Sequence, residues 1–239
     1  MTAMPTGPLR GGPDAFHVYD TTLRDGAQGE GMALTVSDKL AIAQHLDDLG
    51  VGFIEGGWPG ALPKDTEFFR RARTELTLKN ATLTAFGATR KAGVKAADDP
   101  QVAALRDSEA AVVCLVAKSH DRHVLEALRT TLDENLAMIR DTVTHLRAEG
   151  RRVFVDAEHF FDGYKANPAY AVEAVRAAVE AGADVVVLCD TNGGMLPAQL
   201  ADVVHDVLQS SGARIGIHTH DDTGCAVANT IAAVEAGAT

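Results

Sequence analysis

The sequence predicts an α/β fold, a TIM-type (β/α)8 barrel that stops after its seventh β/α unit. Three observations carry this. Short apolar runs and Ala-rich helical stretches alternate seven times, and strands that are apolar throughout are those buried on both faces of a parallel sheet. Every polar, Gly-rich segment follows a strand, while the returns from helix to strand are terse, as in a barrel whose functional loops gather at the carboxyl ends of its strands. The structural rival, a doubly wound open sheet, usually places a phosphate-binding glycine loop after its first strand, and no GxGxxG stands there.

The elements follow in order. Residues 16–19 form a first apolar run, and 37–49 a helix with Ser37 as its N-cap. Strands are expected at 51–55, 81–86, 111–116, 152–157, 184–189 and 214–217, and helices at 66–76, 100–108, 168–180, 197–210 and 225–236. Residues 121–149 read as helix with a break near 130–133, closed by Gly150. Residues 1–15, rich in Gly and Pro with no apolar core, read as a flexible tail. Residues 16–239 then form one barrel domain, expected to lack an eighth strand and a C-terminal domain.

The 239 residues are 46% hydrophobic and 23% charged, enough for one domain with a substantial core. A net charge of −11 argues against nucleic acid or an anionic membrane as partner. It leaves an anionic small substrate open, since a metal and one arginine can reverse the local field. Three cysteines without CxxC spacing point to a reducing, cytoplasmic setting. No apolar run approaches the ~20 residues of a membrane span.

The chain is organised around 19–31, Tyr-Asp-Thr-Thr-Leu-Arg-Asp-Gly-Ala-Gln-Gly-Glu-Gly, which joins the first strand to the first helix. Asp25 there can hold a metal, and the adjacent Arg24 an oxyanion; otherwise Asp25 is a turn residue and Arg24 a surface residue or the ion-pair partner of Glu55. His218-Thr219-His220 is the sharpest local signal. In extended backbone, residues i and i+2 share a face, so both imidazoles would enter the barrel mouth from the seventh strand. Isolated, such a pair is more often two solvated histidines. With Asp25 it makes two imidazoles and one carboxylate, leaving positions open for substrate oxygens. Mg, Mn and Zn all suit that set. Asp221 and Asp222 could orient the imidazoles.

The same period puts Asp156 and Glu158 on one inward face, with Val155 and Ala157 toward the helices. An inward acid without a function is costly, so both are candidates for substrate or base roles, against a structural ion pair. Thr191 could donate its hydroxyl to a carboxylate or simply cap a turn. Arg90, Lys91 and Lys95 could meet phosphates or be solvated.

The stretch 20–26, Asp-Thr-Thr-Leu-Arg-Asp-Gly, together with 218–220, resembles the DRE-TIM metallolyase superfamily, which includes isopropylmalate, homocitrate and citramalate synthases and HMG-CoA lyase. Three longer segments, 54–60 (Ile-Glu-Gly-Gly-Trp-Pro-Gly), 156–165 (Asp-Ala-Glu-His-Phe-Phe-Asp-Gly-Tyr-Lys) and 188–194 (Leu-Cys-Asp-Thr-Asn-Gly-Gly), look like its (R)-citramalate synthase branch. The resemblance implies a cytoplasmic homodimeric acyltransferase that condenses acetyl-CoA with pyruvate, entering isoleucine synthesis. Carried over by position, it implies a divalent metal on Asp25, His218 and His220. Arg24 would stabilise the oxyanion, and Glu158 and Thr191 would hold the 2-oxo acid or its water. Competing expectations are an isopropylmalate synthase acting on 2-oxoisovalerate, a carbon–carbon lyase, and an inactive metal-binding fragment. Two departures from the family pattern stand out. Asp221 occupies the place of an asparagine, and the glycine-rich eighth-strand segment is missing.

Overall fold

The computed structural model describes residues 16–239; the tail expected over 1–15 lies outside them. Seven parallel strands form one sheet in chain order: β1 Tyr19–Asp20, β2 Phe53–Gly57, β3 Thr82–Ala88, β4 Val112–Lys118, β5 Arg152–Glu158, β6 Val185–Asp190 and β7 Ile215–Thr219. Each pairs with the next, and among the described residues β1 and β7 share no ladder. Helices α1 Val36–Leu49, α2 Pro63–Glu75, α3 Pro100–Asp107, α4 Asp121–His123, α5 Leu132–Ala148, α6 Phe160–Ala166, α7 Pro168–Glu180, α8 Pro197–Ser211 and α9 Ala226–Glu235 complete seven units of a (β/α)8 barrel.

The strand period of two sorts the core into two clusters. Outward residues such as Ile54, Leu115, Val155, Ala157 and Leu188 pack under the helices, while Phe53, Phe86, Cys114, Phe154 and Val185 fill the interior. Val155 and Ala157 thus face the helices as the sequence predicts, and Asp156 and Glu158 point the other way. Phe53 and Phe154 meet edge to face at 5.1 Å and close the interior below the mouth.

The structure corrects several boundaries. The first strand is shorter than expected: Phe16 and Val18 are 61% and 54% exposed, and only the Val18 carbonyl is tied in, accepting from the Gly52 and Phe53 amides. The cause is its position on the open edge, where no second ladder holds it. Thr35, not Ser37, caps α1, because Thr35 and Asp38 form a reciprocal capping box. The break expected near 130–133 begins earlier, as a wide π turn over Val124–Leu128, and Arg129, at φ 54°, ends it. The short α6 is additional to the expected helices; its glycine and two aromatics conceal a helical turn. Strands β2 to β7 run one or two residues further toward their carboxyl ends than predicted, which brings Lys118, Glu158 and His218 into regular strand.

The end of β2 is fixed by a buried ion pair. Lys39 donates to Asp65 at 2.5 Å, and Asp65 also accepts the Trp58 amide at 2.8 Å. Gly57, at φ 138°, lies so close that a Cβ would strike the Asp65 carboxylate. No helix among the described residues is long and apolar enough to cross a membrane.

Candidate metal centre and active site

The carboxyl ends of the strands surround a cavity of about 700 Å3, within the range of small-molecule sites. All six residues singled out for the site, Arg24, Asp25, Glu158, Thr191, His218 and His220, line it.

Asp25 follows β1 by way of the turn in which the Arg24 and Gly26 amides both bond the Thr21 carbonyl. His218 lies in β7 and His220 just beyond it. Asp25 Oδ2 stands 3.3 Å from His218 Nε2 and 3.6 Å from His220 Nε2. One ligand atom from each of the three lies within 4.8 Å of the others, a spacing a single divalent ion can draw together. Two imidazole nitrogens and a carboxylate suit a borderline ion and leave positions for other oxygens. The hydrogen bond to His218 is the main cause that brings the Asp25 pKa down to about 2, with burial opposing and Arg24 assisting. Burial lowers the His218 pKa, but the Asp25 hydrogen bond and the Asp156 and Asp25 charges outweigh it, so the net shift is upward.

Arg24 is the ion-pair partner of Glu55. Its Nε donates to Glu55 Oε2 at 2.5 Å, and its Nη1 lies 3.3 Å from Asp25 Oδ1. Its Cζ sits 3.9 Å above the Phe86 ring. A guanidinium has five N–H donors, so Nη donors are left for an incoming oxyanion. Glu55 is fully buried and also accepts the Tyr19 hydroxyl at 2.7 Å. Burial pushes the Glu55 carboxyl up and Arg24 pulls it back, while Arg24 is raised by the Glu55 charge against its own desolvation. The 2.5 Å contact between the guanidinium Nε and the carboxylate Oε2 is that of a charged pair.

Glu158 ends β5 and pairs with Lys118 at the end of β4. The sequence reading missed Lys118 because the strand was stopped at Val116; two more residues at the same period would have placed it inward. Asp156, 8% exposed, accepts the Cys114 thiol at 3.2 Å. Burial raises the pKa of both groups, with the His218 charge opposing it at Asp156.

Thr191 Oγ1 accepts the His159 amide at 2.8 Å, which leaves its own proton to donate. Asp190, buried and also missed, accepts the Gly194 and Met195 amides through its carboxylate, and its carbonyl takes the His220 amide. One residue therefore fixes both the Thr191 loop and His220. Gly193, at φ 57°, permits this approach: a Cβ there would lie 2.9 Å from the His220 carbonyl oxygen.

Other expectations end elsewhere. Asp221 accepts the Ala226 amide at the start of α9 at 2.9 Å. Arg90 is 5% exposed and clasped by Glu134 and Asp141, so it braces α5 and is neither solvated nor free for phosphate. Lys91 lines the cavity rim.

An HMGL-like family model matches residues 15–239. The chain is 74% identical to (R)-citramalate synthase of Streptomyces coelicolor over 226 residues, 95% of this chain and 42% of that protein. It is 52% identical to (R)-citramalate synthase of Aquifex aeolicus, over 94% of this chain and 43% of that protein. The chain thus spans less than half the length of these curated relatives. In fold it is similar to HMG-CoA lyase of Bacillus subtilis, with a TM-score of 0.79 at 20% identity over 95% of this chain and 76% of that one. The match over residues 15–239 and the parallel barrel units together place the chain in the HMGL-like family.

Proposed function

We propose that this chain is the barrel part of a metal-dependent acyltransferase that condenses acetyl-CoA with pyruvate to (R)-citramalate and CoA, a step toward isoleucine. The observation that carries the reading is the Asp25–His218–His220 cluster beside Arg24 at the mouth of the cavity, on a chain 74% identical to a protein named for that reaction.

Asp25, His218 and His220 would hold the divalent ion; Mg, Mn and Zn are the candidates. When bound, it supplies Lewis acidity toward a substrate carbonyl. The remaining roles belong to side chains. Thr191 donates its hydroxyl to the pyruvate carboxylate, and Glu158, set by Lys118, orients the 2-oxo acid or the water that follows. A general base takes a proton from the acetyl methyl group, the carbon so freed forms a bond to C2 of pyruvate, and the C2 carbonyl electrons move to oxygen. Arg24 faces that alkoxide with its Nη donors, while Glu55 and Phe86 prevent the guanidinium from swinging away. The alkoxide takes a proton, and water cleaves the thioester to release CoA as its thiol.

Cys114, Cys189 and Cys225 are all free thiols, which supports a reducing, cytoplasmic setting. A homodimer belongs to the same reading, and sedimentation of the chain tests it.

Calorimetric titration of pyruvate tests the site directly. Pyruvate is expected to bind the metal-loaded chain at least tenfold more tightly than the metal-free chain, and Asp25→Ala to remove the difference. Equal binding with and without metal would overturn the assignment.

A further inference from the structure

Two histidines that the reaction above leaves unused stand with Glu158, a residue of the cavity lining, in a second cluster of metal-ligand type. His123 closes α4, His159 follows β5, and Glu158, the last residue of β5, lines the cavity. One ligand atom from each of His123, Glu158 and His159 lies within 4.8 Å of the others. This is the same donor set, two imidazoles and a carboxylate, as the Asp25 cluster.

Three features bear on what it does. His159 Nδ1 is buried with no hydrogen-bond partner, the nearest acid being Asp162 Oδ2 at 3.6 Å, beyond hydrogen-bond length. A buried, unpartnered imidazole nitrogen is costly unless something completes it. His159 also holds φ 52°, an uncommon backbone state for a side chain of that size. That state turns its ring against His123, with centroids 4.6 Å apart at 87°. His120 stacks over the other side of His123 at 4.7 Å and 25°. His120 is outside the group whose ligand atoms converge, and its Nδ1 faces Asp121 and the Arg122 amide.

We propose that His123, His159 and Glu158 form a second, separate binding site for a borderline transition-metal ion such as Zn2+. Bonds of about 2.1 Å in tetrahedral geometry need ligand atoms roughly 3.4 Å apart, so atoms that lie within 4.8 Å of one another need to close by no more than about 1.4 Å when the site is filled. Closure draws the Glu158 carboxylate from Lys118 and covers the ion with the His120 ring. The site does not depend on which reaction the cavity performs. It does make Glu158 a shared residue, so filling the second site competes with the role given to Glu158 above.

The test is metal stoichiometry of the 239-residue chain, with Co2+ titrated into metal-free protein and read by calorimetry and visible absorption. Two tight equivalents are expected for the wild type. His123→Gln and His159→Asn, the latter chosen because Asn tolerates positive φ, should each bind one. His218→Ala should also bind one, and His123→Gln with His218→Ala none. As a readout on the unmutated protein, the second equivalent of paramagnetic Co2+ should broaden the His120 ring resonances in a histidine-selective NMR spectrum. A single equivalent in the wild type, or two retained in both His123→Gln and His159→Asn, would overturn the proposal. Loss of the first equivalent in His218→Ala would still report separately on the Asp25 cluster.

Discussion

Asp25 Oδ2 lies 3.3 Å from His218 Nε2, and this contact ties the first β/α unit to the seventh although β1 and β7 share no backbone ladder. The mouth is therefore joined by side chains where the sheet is open. An ion held by Asp25, His218 and His220 would reinforce that link, coupling metal binding to the stability of the two outer units.

The first prediction is that metal raises the melting temperature and that ligand substitutions remove the effect. Asp25→Ala and His218→Ala should each weaken metal affinity by more than about 100-fold, since loss of a mere orienting partner already costs about 10–100-fold. Thermal melts with and without Mn2+ check this. A shift of equal size in wild type and both variants contradicts it.

The second concerns pH in the metal-free chain. Asp25 is depressed to about 2 in the fold, so its contribution is present above its ordinary value of about 4 and fades as pH falls toward 2. His218 is raised, so its contribution is full below about 6.5 and is lost as pH climbs through the folded value. The contact should stabilise most between about pH 4 and 6.5. The melting-temperature difference between wild type and His218→Asn, followed against pH, should peak in that window. A difference that grows steadily to pH 9 contradicts the assignment.

The third separates the two roles of Arg24. Arg24→Ala strands Glu55, which is fully buried, and should cost about 3–5 kcal/mol of stability; adding Glu55→Gln should recover part of that. Arg24→Lys keeps a charge but loses the fork of donors, so kcat for condensation should fall by about 100-fold with a smaller change in KM for pyruvate. Denaturant melts and steady-state kinetics read the two effects separately.

The fourth is that Asp190→Ala disturbs the site without touching ligand. It removes the acceptor of the Gly194 and Met195 amides, at a cost of about 2 kcal/mol. It should also loosen pyruvate binding through Thr191. Asp190→Asn, which keeps an acceptor oxygen, should retain more of both. Equal loss in the two variants contradicts the positioning role.

How much of this was legible in the sequence follows from two periods. Alternation along strands put Asp156 and Glu158 inward and His218 and His220 on one face, and the βα order put Arg24, Asp25 and Thr191 at the same end. That sufficed for the barrel and for six residues that line one cavity. What stayed hidden depends on contacts between distant segments. Lys118 needed the true end of β4, which pairing with β5 extends to Glu158. The role of Asp190 needed the loop after β6 to fold over its own carboxylate. The stacking of His120, His123 and His159 needed the π turn and the left-handed backbone at His159, neither of which has a propensity signal. The basic segment at 90–95 misled because charge alone does not show that Arg90 is clasped by Glu134 and Asp141.

The most direct measurement of the central claim is free-thiol release from acetyl-CoA by the purified chain with Mn2+ or Mg2+, comparing pyruvate with 2-oxoisovalerate. The account predicts metal-dependent release with pyruvate, little with 2-oxoisovalerate, and none with Asp25→Ala. Release favouring 2-oxoisovalerate, release unaffected by Asp25→Ala, or no release from a folded, metal-loaded chain would contradict it.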